Sequence, residues 1–89
     1  MKKLSKFRIC GEVDTTITGK LLYFILDDLA DDNGEIIVPQ RRIADTLRIS
    51  KSTVSRNLRR LRLKGYIDIQ AQYRSEDGSR AANKYIILI

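Results

Sequence analysis

The side chains best suited to bind a ligand are cationic and crowded into the middle of the chain. Residues 39–64 carry nine basic side chains and one acidic side chain, a balance of +8. The basic residues are Arg41, Arg42, Arg48, Lys51, Arg56, Arg59, Arg60, Arg62 and Lys64. Like charges four residues apart on a helix, such as Arg56 and Arg60, repel each other by roughly a few tenths of a kcal/mol. A sequence that tolerates this repulsion indicates an anionic partner, and the alternative is a basic face that is merely solvated.

Charge is distributed unevenly along the rest of the chain. Residues 11–38 carry seven acids against one lysine, a balance of −6, whereas residues 1–10 carry +4 and residues 65–89 are neutral, which gives the net charge of +6. Neutralising phosphates releases the counterions condensed on a nucleic acid, and this release is the main source of non-specific affinity for DNA. The basic segment therefore predicts a nucleic-acid partner.

Two short amphipathic helices are predicted to position these cations. Apolar residues recur four apart on the first helix and three to four apart on the second. They are Ile43, Leu47, Val54, Leu58 and Leu61, with Ile49 in the turn between the helices. Ser50 is expected to cap the second helix by accepting a hydrogen bond from the backbone N–H of Ser52 or Thr53. Gly65 is expected to end this helix in a left-handed conformation.

Further predicted elements lie on either side of this pair. Upstream, a helix over 19–30, capped by Thr18, is followed by a short strand over 35–38. Downstream, strands over 66–73 and 83–89 flank a polar, turn-forming stretch, which predicts a β-hairpin. The order of elements is helix, strand, helix, turn, helix, strand, hairpin loop and strand. The sequence therefore predicts an α+β domain with three helices and a small antiparallel sheet.

The run of residues 43–56, IADTLRISKSTVSR, resembles a known pattern. It is similar to the run IA-xx-L-x-(I/V)-S-xx-TV-x-R shared by Crp-like, MarR-like and GntR-like regulators and by winged-helix domains of plasmid and phage replication proteins. From about residue 18 to residue 89 the chain thus resembles a winged helix-turn-helix domain of bacterial type. The pattern marks the module without choosing among these families. Arg48 stands where the turn often has glycine.

The resemblance implies a site made largely of basic and hydroxyl side chains. The helix over 51–64 would be the recognition helix, with its N-terminal half in the major groove. The candidate DNA-binding residues are Gln40, Arg41, Arg42, Lys51, Ser52, Thr53, Ser55, Arg56, Arg59, Arg60 and Arg80. Arg56 is expected either to read guanine through O6 and N7, worth about 1 to 3 kcal/mol of discrimination, or to clamp a phosphate. Thr53 is expected to contact DNA or to complete the helix cap.

Residues outside the recognition helix are expected to position the domain on DNA. Gln40, Arg41 and Arg42 begin the preceding helix, whose free N–H groups attract phosphate. In the hairpin, which is the wing of the resemblance, Arg80 is expected to carry any contact. Glu76 and Asp77 at the tip would repel phosphate, so a wing that contacts DNA and a solvated turn remain alternatives.

Several other kinds of function find no support in the sequence. The chain has no histidine, the commonest general base, and no glycine-rich phosphate loop, so we expect no enzyme activity. One cysteine, Cys10, without histidine offers no zinc site of the usual type, and no cofactor is expected. No apolar run predicts a signal peptide or membrane span, which favours the cytoplasm. At 89 residues the chain is too small for a separate ligand-sensing domain, and no small-molecule site is evident.

The favoured function is sequence-specific binding of double-stranded DNA by a bacterial, phage or plasmid transcriptional regulator. The alternatives are the DNA-binding domain of a replication initiator, or a winged helix used for protein interaction or RNA binding. We expect residues 1–17 to form a basic arm or extended segment and residues 18–89 to form the DNA-binding domain. Homodimerisation is left open: Leu63 is expected to be covered by the chain turning at Gly65, and Leu21 and Phe24 to be enveloped, with a partner or dimer face as the alternative.

Overall fold

Three helices and one antiparallel sheet make up the fold of residues 11–88, the part of the chain that the computed structural model describes. The elements are α1 (Ile17–Leu29), β1 (Glu35–Ile37), α2 (Gln40–Leu47), α3 (Lys51–Leu63), β2 (Ile67–Gln70) and β3 (Lys84–Ile87). Their order is the one that the sequence predicts. The α+β class and the combination of three helices with a small antiparallel sheet are therefore confirmed.

The sheet links the helices to the hairpin. Its strand order is β1-β3-β2, and both pairings are antiparallel. Tyr85 on the central strand lies opposite Ile36 of β1 and Ile69 of β2, so these three side chains share one face of the sheet. Because β1 directly precedes α2, its pairing with β3 ties the start of α2 to the base of the hairpin.

The strands of the hairpin are shorter than predicted. Regular pairing ends at the pair Gln70 and Lys84, and beyond it a single bridge joins Tyr73 to Arg80. Residues 71–83 contain no β-branched side chain, and β-branched residues are those that pack best on a pleated surface. The outer half of the hairpin is therefore a loop closed by turns, which we call the wing (residues 71–83).

One hydrophobic core lies between the helices and the inner face of the sheet. The side chains with at most 1% of their surface exposed are Val13, Leu22, Tyr23, Leu26, Val54, Leu58, Leu61, Ile67 and Tyr85. The three α3 residues in this set are those whose spacing predicts a buried stripe. Fully burying one such aliphatic side chain stabilises the fold by about 1.5 to 3 kcal/mol.

The first helix begins earlier than predicted, because its cap is Thr16 and not Thr18. Thr16 has extended backbone angles (φ −67°, ψ 163°), and its Oγ1 accepts a hydrogen bond from the N–H of Gly19 at 3.0 Å. The same hydroxyl donates to Oδ1 of Asn57 on α3 at 2.7 Å. A tertiary hydrogen bond therefore favours the earlier threonine, and Thr18 lies inside the helix.

The segment before α1 is partly integrated into the fold. Val13 is completely buried in the core, and the backbone N–H of Asp14 donates to the hydroxyl of Tyr66 at 2.9 Å. The predicted basic arm over 1–17 falls mostly on residues 1–10, which lie outside the described residues. For residues 1–10 the basic arm stays a prediction.

The predictions for two leucines are wrong. Leu63 is 80% exposed and not covered by the chain after Gly65. The reason is the direction of the chain after the turn: Ile67, two residues beyond Gly65, is buried in the core, so the chain leaves α3 toward its buried side and away from Leu63. Leu21 is 44% exposed because α1 buries only the narrower stripe that contains Leu22 and Leu26.

Candidate nucleic-acid interface

The turn between α2 and α3 depends on one residue in a left-handed conformation. Arg48 has φ 56° and ψ 44°, and its N–H bonds to the carbonyl of Ala44. The N–H of Ile49 bonds to the same carbonyl at 3.1 Å. Arg48 thus makes the turn that glycine often makes at this position, although an L-residue rarely adopts this conformation. Its side chain remains exposed.

The start of α3 is defined by the predicted Ser50 cap. Ser50 has extended backbone angles, and its Oγ accepts a hydrogen bond from the N–H of Thr53 at 3.1 Å. The hydroxyls of Ser52 and Thr53 lie 3.2 and 2.7 Å from the same Oγ. Thr53 therefore completes the cap, which is one of the two roles expected of it, and is half-buried, whereas Ser52 is exposed.

The end of α3 is closed at the predicted glycine. Gly65 has φ +81°, its N–H bonds to the carbonyl of Arg62 at 3.0 Å, and the next N–H, of Tyr66, bonds to that of Leu61. This pair of bonds is a Schellman motif, which satisfies carbonyls that the helix end would otherwise leave without partners.

The exposed face of α3 carries cations without acidic partners. Lys51, Arg56, Arg59 and Arg60 are all exposed, and no carboxylate within residues 11–88 forms an ion pair with them. The basic residues at the helix end differ. Arg62 lies 3.9 Å from Asp68, and Lys64 lies 3.7 Å from Asp14. The unpaired charge is therefore concentrated on the part of α3 that the sequence assigns to DNA.

A cleft of about 550 Å³ lies between the start of α2, the side of α3 and the base of the wing. We call it the cationic cleft. Its lining includes five basic side chains, namely Arg41, Lys51, Arg59, Arg62 and Arg80. Of the other candidate residues, Gln40 and Ser55 also line it. The three elements thus bring six of the eleven sequence-predicted residues to one concave surface.

The remaining five candidates lie outside the cationic cleft. Ser52, Thr53, Arg56 and Arg60 are not part of its lining. Arg42, although adjacent to Arg41, lines a smaller apolar hollow between α1 and α2. Neighbouring positions on a helix point about 100° apart, so two basic residues at one helix start need not serve one surface.

The start of α2, which lines this cleft, has backbone donors without acceptors among the described residues. Pro39 occupies the N-cap position and makes no side-chain cap hydrogen bond. Within the described part of the chain, the N–H groups of Gln40 and Arg41 have no acceptor. Free N–H groups and the positive end of the helix dipole make such a helix start suited to bind an anion.

The part of the chain that forms the three helices matches a known protein family. The family model described as a helix-turn-helix domain matches residues 16–67, more than half of the chain. The chain belongs to the helix-turn-helix domain family. The match runs from the α1 cap to the first residue of β2, and with the hairpin that follows, the structure is a winged helix. Neither the comparison with curated proteins nor that with solved structures finds a match.

Membership in this family indicates the general kind of ligand and no specific biological role. Helix-turn-helix domains are DNA-binding modules that are typically non-enzymatic, so the family indicates DNA as the partner. Within residues 11–88 there is no group of three or more His, Cys, Asp or Glu side chains that could hold a metal ion. None of the helices in that range combines the length and apolarity needed to cross a membrane.

The wing of this helix-turn-helix domain is held by short hydrogen bonds. The N–H of Arg74 donates to the carbonyl of Ser79 at 2.7 Å, and the N–H of Gly78 donates to that of Arg74 at 2.9 Å. Nη2 of Arg80 donates to Oδ1 of Asn83 at 2.9 Å, which holds this guanidinium at the base of the wing, where it lines the cationic cleft.

The tip of the wing keeps its negative charge. The side chain and backbone of Ser79 donate hydrogen bonds to the fully exposed Asp77 carboxylate, which holds the pKa of Asp77 below its ordinary value. One of these bonds joins the N–H of Ser79 to Oδ1 of Asp77 at 2.9 Å. Glu76 is exposed beside it. Any phosphate near the wing would therefore be attracted at its base and repelled at its tip.

Sequence reasoning missed Asn57, the one amide or charged side chain among residues 11–88 that is buried. Its Nδ2 donates to the carbonyl of Thr53 at 2.8 Å, and its Oδ1 accepts from the hydroxyl of Thr16. These bonds join the cap of α1 to the middle of α3. The available signal was its position, three residues after Val54 and four before Leu61, on the apolar side of the helix.

Proposed function

We propose that this domain binds double-stranded DNA sequence-specifically and acts as a transcriptional regulator of a bacterium, phage or plasmid. The observation that carries the proposal is the exposed cationic face of α3, which forms no ion pair with a carboxylate of residues 11–88 and whose opposite face is anchored in the core. In this proposal α3 lies in the major groove, as recognition helices do. A DNA partner also implies that the protein acts in the cytoplasm.

The proposed roles of the site residues follow from their positions. Arg56, exposed and outside the cationic cleft, is proposed to read base edges, with Ser52 beside it. Ser55, which lines the cleft, is proposed to contact a base edge or the backbone where the cleft meets α3. Residues that line the cleft are proposed to hold the sugar-phosphate backbone; they include Gln40, Arg41, Lys51, Arg59 and Arg80. Thr53, Arg42 and Arg60 are proposed to make supporting contacts at the edges of this surface.

The distribution of tyrosines supports duplex DNA over single-stranded RNA. Readers of single-stranded RNA stack bases on exposed aromatic side chains. Here Tyr23 and Tyr85 are completely buried, Tyr66 is half-buried, and Tyr73 alone among the described tyrosines is largely exposed, on the wing. One exposed ring on a loop is too little for a stacking platform. A cationic helix that displays no aromatic side chain suits the groove of a duplex.

Selection of bound duplexes from a random pool, using the full chain, tests the proposal. We expect one sequence family to be enriched, and sizing of the resulting complex will report how many copies of the chain bind. A pool that shows no enrichment after several rounds would contradict sequence-specific binding.

Two substitutions then separate the proposed roles. Arg56→Ala should weaken binding to the selected duplex more than to random DNA, with about 1 to 3 kcal/mol of discrimination lost. Arg41→Ala should weaken both alike and reduce the slope of log affinity against log salt by about one. Lys84→Gln is the matched control, because Lys84 pairs with Glu35 at 3.3 Å on the sheet face opposite Tyr85. Equal losses for both arginine variants on both duplexes would refute the assignment.

A further inference from the structure

The hollow between α1 and α2, which we call the apolar hollow, shares no lining residue with the cationic cleft. Its volume is about 110 Å³, and the aliphatic side chains that line it are Ile25, Leu29, Val38, Ile43 and Leu47. Ile43 is buried, whereas Leu29 is 58% exposed. Sites for nucleotides or cofactors measure roughly 300 to 1,000 Å³, so this hollow is too small for such a ligand. A cavity of about 150 Å³ accommodates benzene, so the hollow has room for one branched aliphatic side chain.

The surface next to the apolar hollow is acidic. Residues 27–32, at the end of α1, contain four aspartates and no basic residue. Asp28 is exposed, adjacent to Leu29 and one turn after Ile25. None of the four aspartates forms an ion pair with a basic residue of 11–88. The lining adds one cation, Arg42, so the surroundings remain negative. The hollow therefore suits an apolar side chain that projects from a basic surface.

Leu63, at the end of α3, is such a side chain. It is 80% exposed, and four basic residues and no acidic residue lie within four positions of it. Arg59 and Arg60, one turn before Leu63, are exposed and form no ion pair within residues 11–88. Among the large apolar side chains exposed in that range, Leu63 alone has such surroundings. We call residues 59–64 the α3 end.

We propose that Leu63 of one copy of this chain inserts into the apolar hollow of a second copy. The basic α3 end of the first copy then lies against the acidic end of α1 of the second. Charge favours this arrangement over the symmetric ones, because two hollows face to face would bring acidic surfaces together and two α3 ends would bring basic surfaces together. The contact is head-to-tail and leaves one free Leu63 and one free hollow in each pair, so further copies can add in a row.

Self-association through this contact should be weak. One side chain and the charges around it bury less than the roughly 1,200 Å² of stable interfaces, so association is expected at protein concentrations on the order of 1 mM. Backbone amide NMR signals of the full chain, recorded over a dilution series without DNA, detect contacts of this strength. The signals that depend on concentration should belong to two separate surfaces, the α3 end and the lining of the hollow. High salt should reduce the shifts, because it screens the opposite charges.

Glutamine at either leucine tests the two halves of the contact separately. Leu63→Gln removes the inserted side chain, and Leu29→Gln makes the hollow more polar, so each should weaken self-association about tenfold or more. Both leucines are exposed, so the melting temperatures should stay near that of the wild type. Leu88→Gln is the matched control, because Leu88 is 53% exposed and belongs to neither surface. This variant should associate as the wild type does.

A mixture of the two variants tests the head-to-tail arrangement. The Leu29→Gln chain keeps Leu63, and the Leu63→Gln chain keeps an intact hollow, so the mixture should form a pair that neither variant forms alone. With the isotope label on the Leu29→Gln chain, the signals of the α3 end should shift; with the label on the Leu63→Gln chain, those of the hollow should shift.

Several results would overturn the proposal. They are wild-type signals that do not change with concentration, shifts confined to one surface of the wild type, and a mixture that does not restore association. Loss of association in Leu88→Gln as well would indicate non-specific contacts and would also contradict it.

A duplex and a second copy are expected to compete for the α3 end, because Arg59 and Arg60 are also proposed to contact DNA. This competition rests on the proposed function, whereas the contact between copies does not. Adding a duplex to the mixed variants should therefore reverse the shifts at the α3 end that the pair produces. A pair that stays intact on the duplex would contradict the competition. If no duplex binds but the mixed variants still pair, the proposed function fails and this inference holds.

Discussion

Replacing Arg48 with glycine should stabilise the free domain. With φ at 56° the residue adopts the left-handed conformation, which costs an L-residue roughly 1 to 2 kcal/mol. Glycine escapes this cost but gives up about 0.5 to 1 kcal/mol through its greater freedom in the unfolded chain. The side chain of Arg48 is exposed, so little packing is lost. The net gain lies between about 0 and 1.5 kcal/mol, and its midpoint of about 0.75 kcal/mol corresponds to a rise of roughly 3 to 6 °C in melting temperature for a domain of this size.

Thermal unfolding followed by circular dichroism measures this gain, and two further variants identify its cause. Arg48→Ala removes the same charge but keeps the left-handed strain, so its melting temperature should stay near that of the wild type. Arg48→Asn should fall between alanine and glycine, because asparagine tolerates this conformation better than most residues. If glycine and alanine raise the melting temperature equally, and high salt abolishes the rise, relief of charge repulsion is the cause and the backbone argument is wrong. A glycine variant less stable than the wild type would also refute it.

Two more expectations concern the support of α3 and the wing. Thr16→Ala and Asn57→Ala should each lower the free energy of unfolding by about 1 to 2 kcal/mol. The double variant should lose less than the sum of the two, because the two side chains share one hydrogen bond. Chemical denaturation of the wild type and the three variants measures this coupling, and full additivity would argue against the shared bond. Hydrogen bonds from Ser79 lower the pKa of Asp77 in the folded protein. The ionised Asp77 carboxylate therefore helps to order the wing at pH values above the pKa of the unfolded chain, and this contribution is lost as the pH falls through the lower pKa of the folded state. In an NMR titration the Ser79 amide signal should therefore shift in acid, and Asp77→Asn should abolish this shift; a shift that persists in the variant would assign it to another group.

Features of the fold that depend on local chemistry could be predicted from the sequence. Ser50 and Gly65 mark the ends of α3 because a hydroxyl can accept from a free N–H and because glycine adopts positive φ without strain. The buried face of α3 followed from apolar spacing alone. The anomaly at Arg48 was visible as well, as an arginine where the resemblance has glycine. Such signals need only the residue and its near neighbours in the chain.

Features that depend on contacts between distant residues were predicted poorly. Thr16 and Thr18 are equally good caps as residue types, and the choice between them depends on Asn57, about 40 positions away. Leu63 was expected to be covered because the sequence does not tell on which side the chain leaves the helix. The sequence also placed Arg41 and Arg42 together, whereas packing directs them to different surfaces.

The candidate site likewise combines features that the sequence predicts with features that only the structure shows. The sequence identified the cations, but the cationic cleft requires α2, α3 and the wing to meet, and no periodicity encodes that meeting. Tyr85 illustrates the consequence, since an aromatic residue in a strand pattern is expected simply to pack in the core. It does so, and only the structure shows that its buried hydroxyl has no hydrogen-bond partner within residues 11–88.

The balance of energies in α3 explains how a helix can remain folded while its exposed face is so strongly cationic. Repulsion between close pairs such as Arg56 and Arg60 costs roughly 0.2 to 0.5 kcal/mol each, so a few such pairs cost about 1 kcal/mol together. Burial of Val54, Leu58 and Leu61 stabilises the fold by about 5 to 9 kcal/mol. Burial therefore exceeds repulsion several-fold, and the helix is formed before any ligand arrives. Phosphate binding therefore does not have to order α3, and it also reduces the repulsion between the arginine side chains. Burial in the core has already offset the repulsion between these cations in the free protein, so the relief of this repulsion on binding adds to the affinity for phosphate.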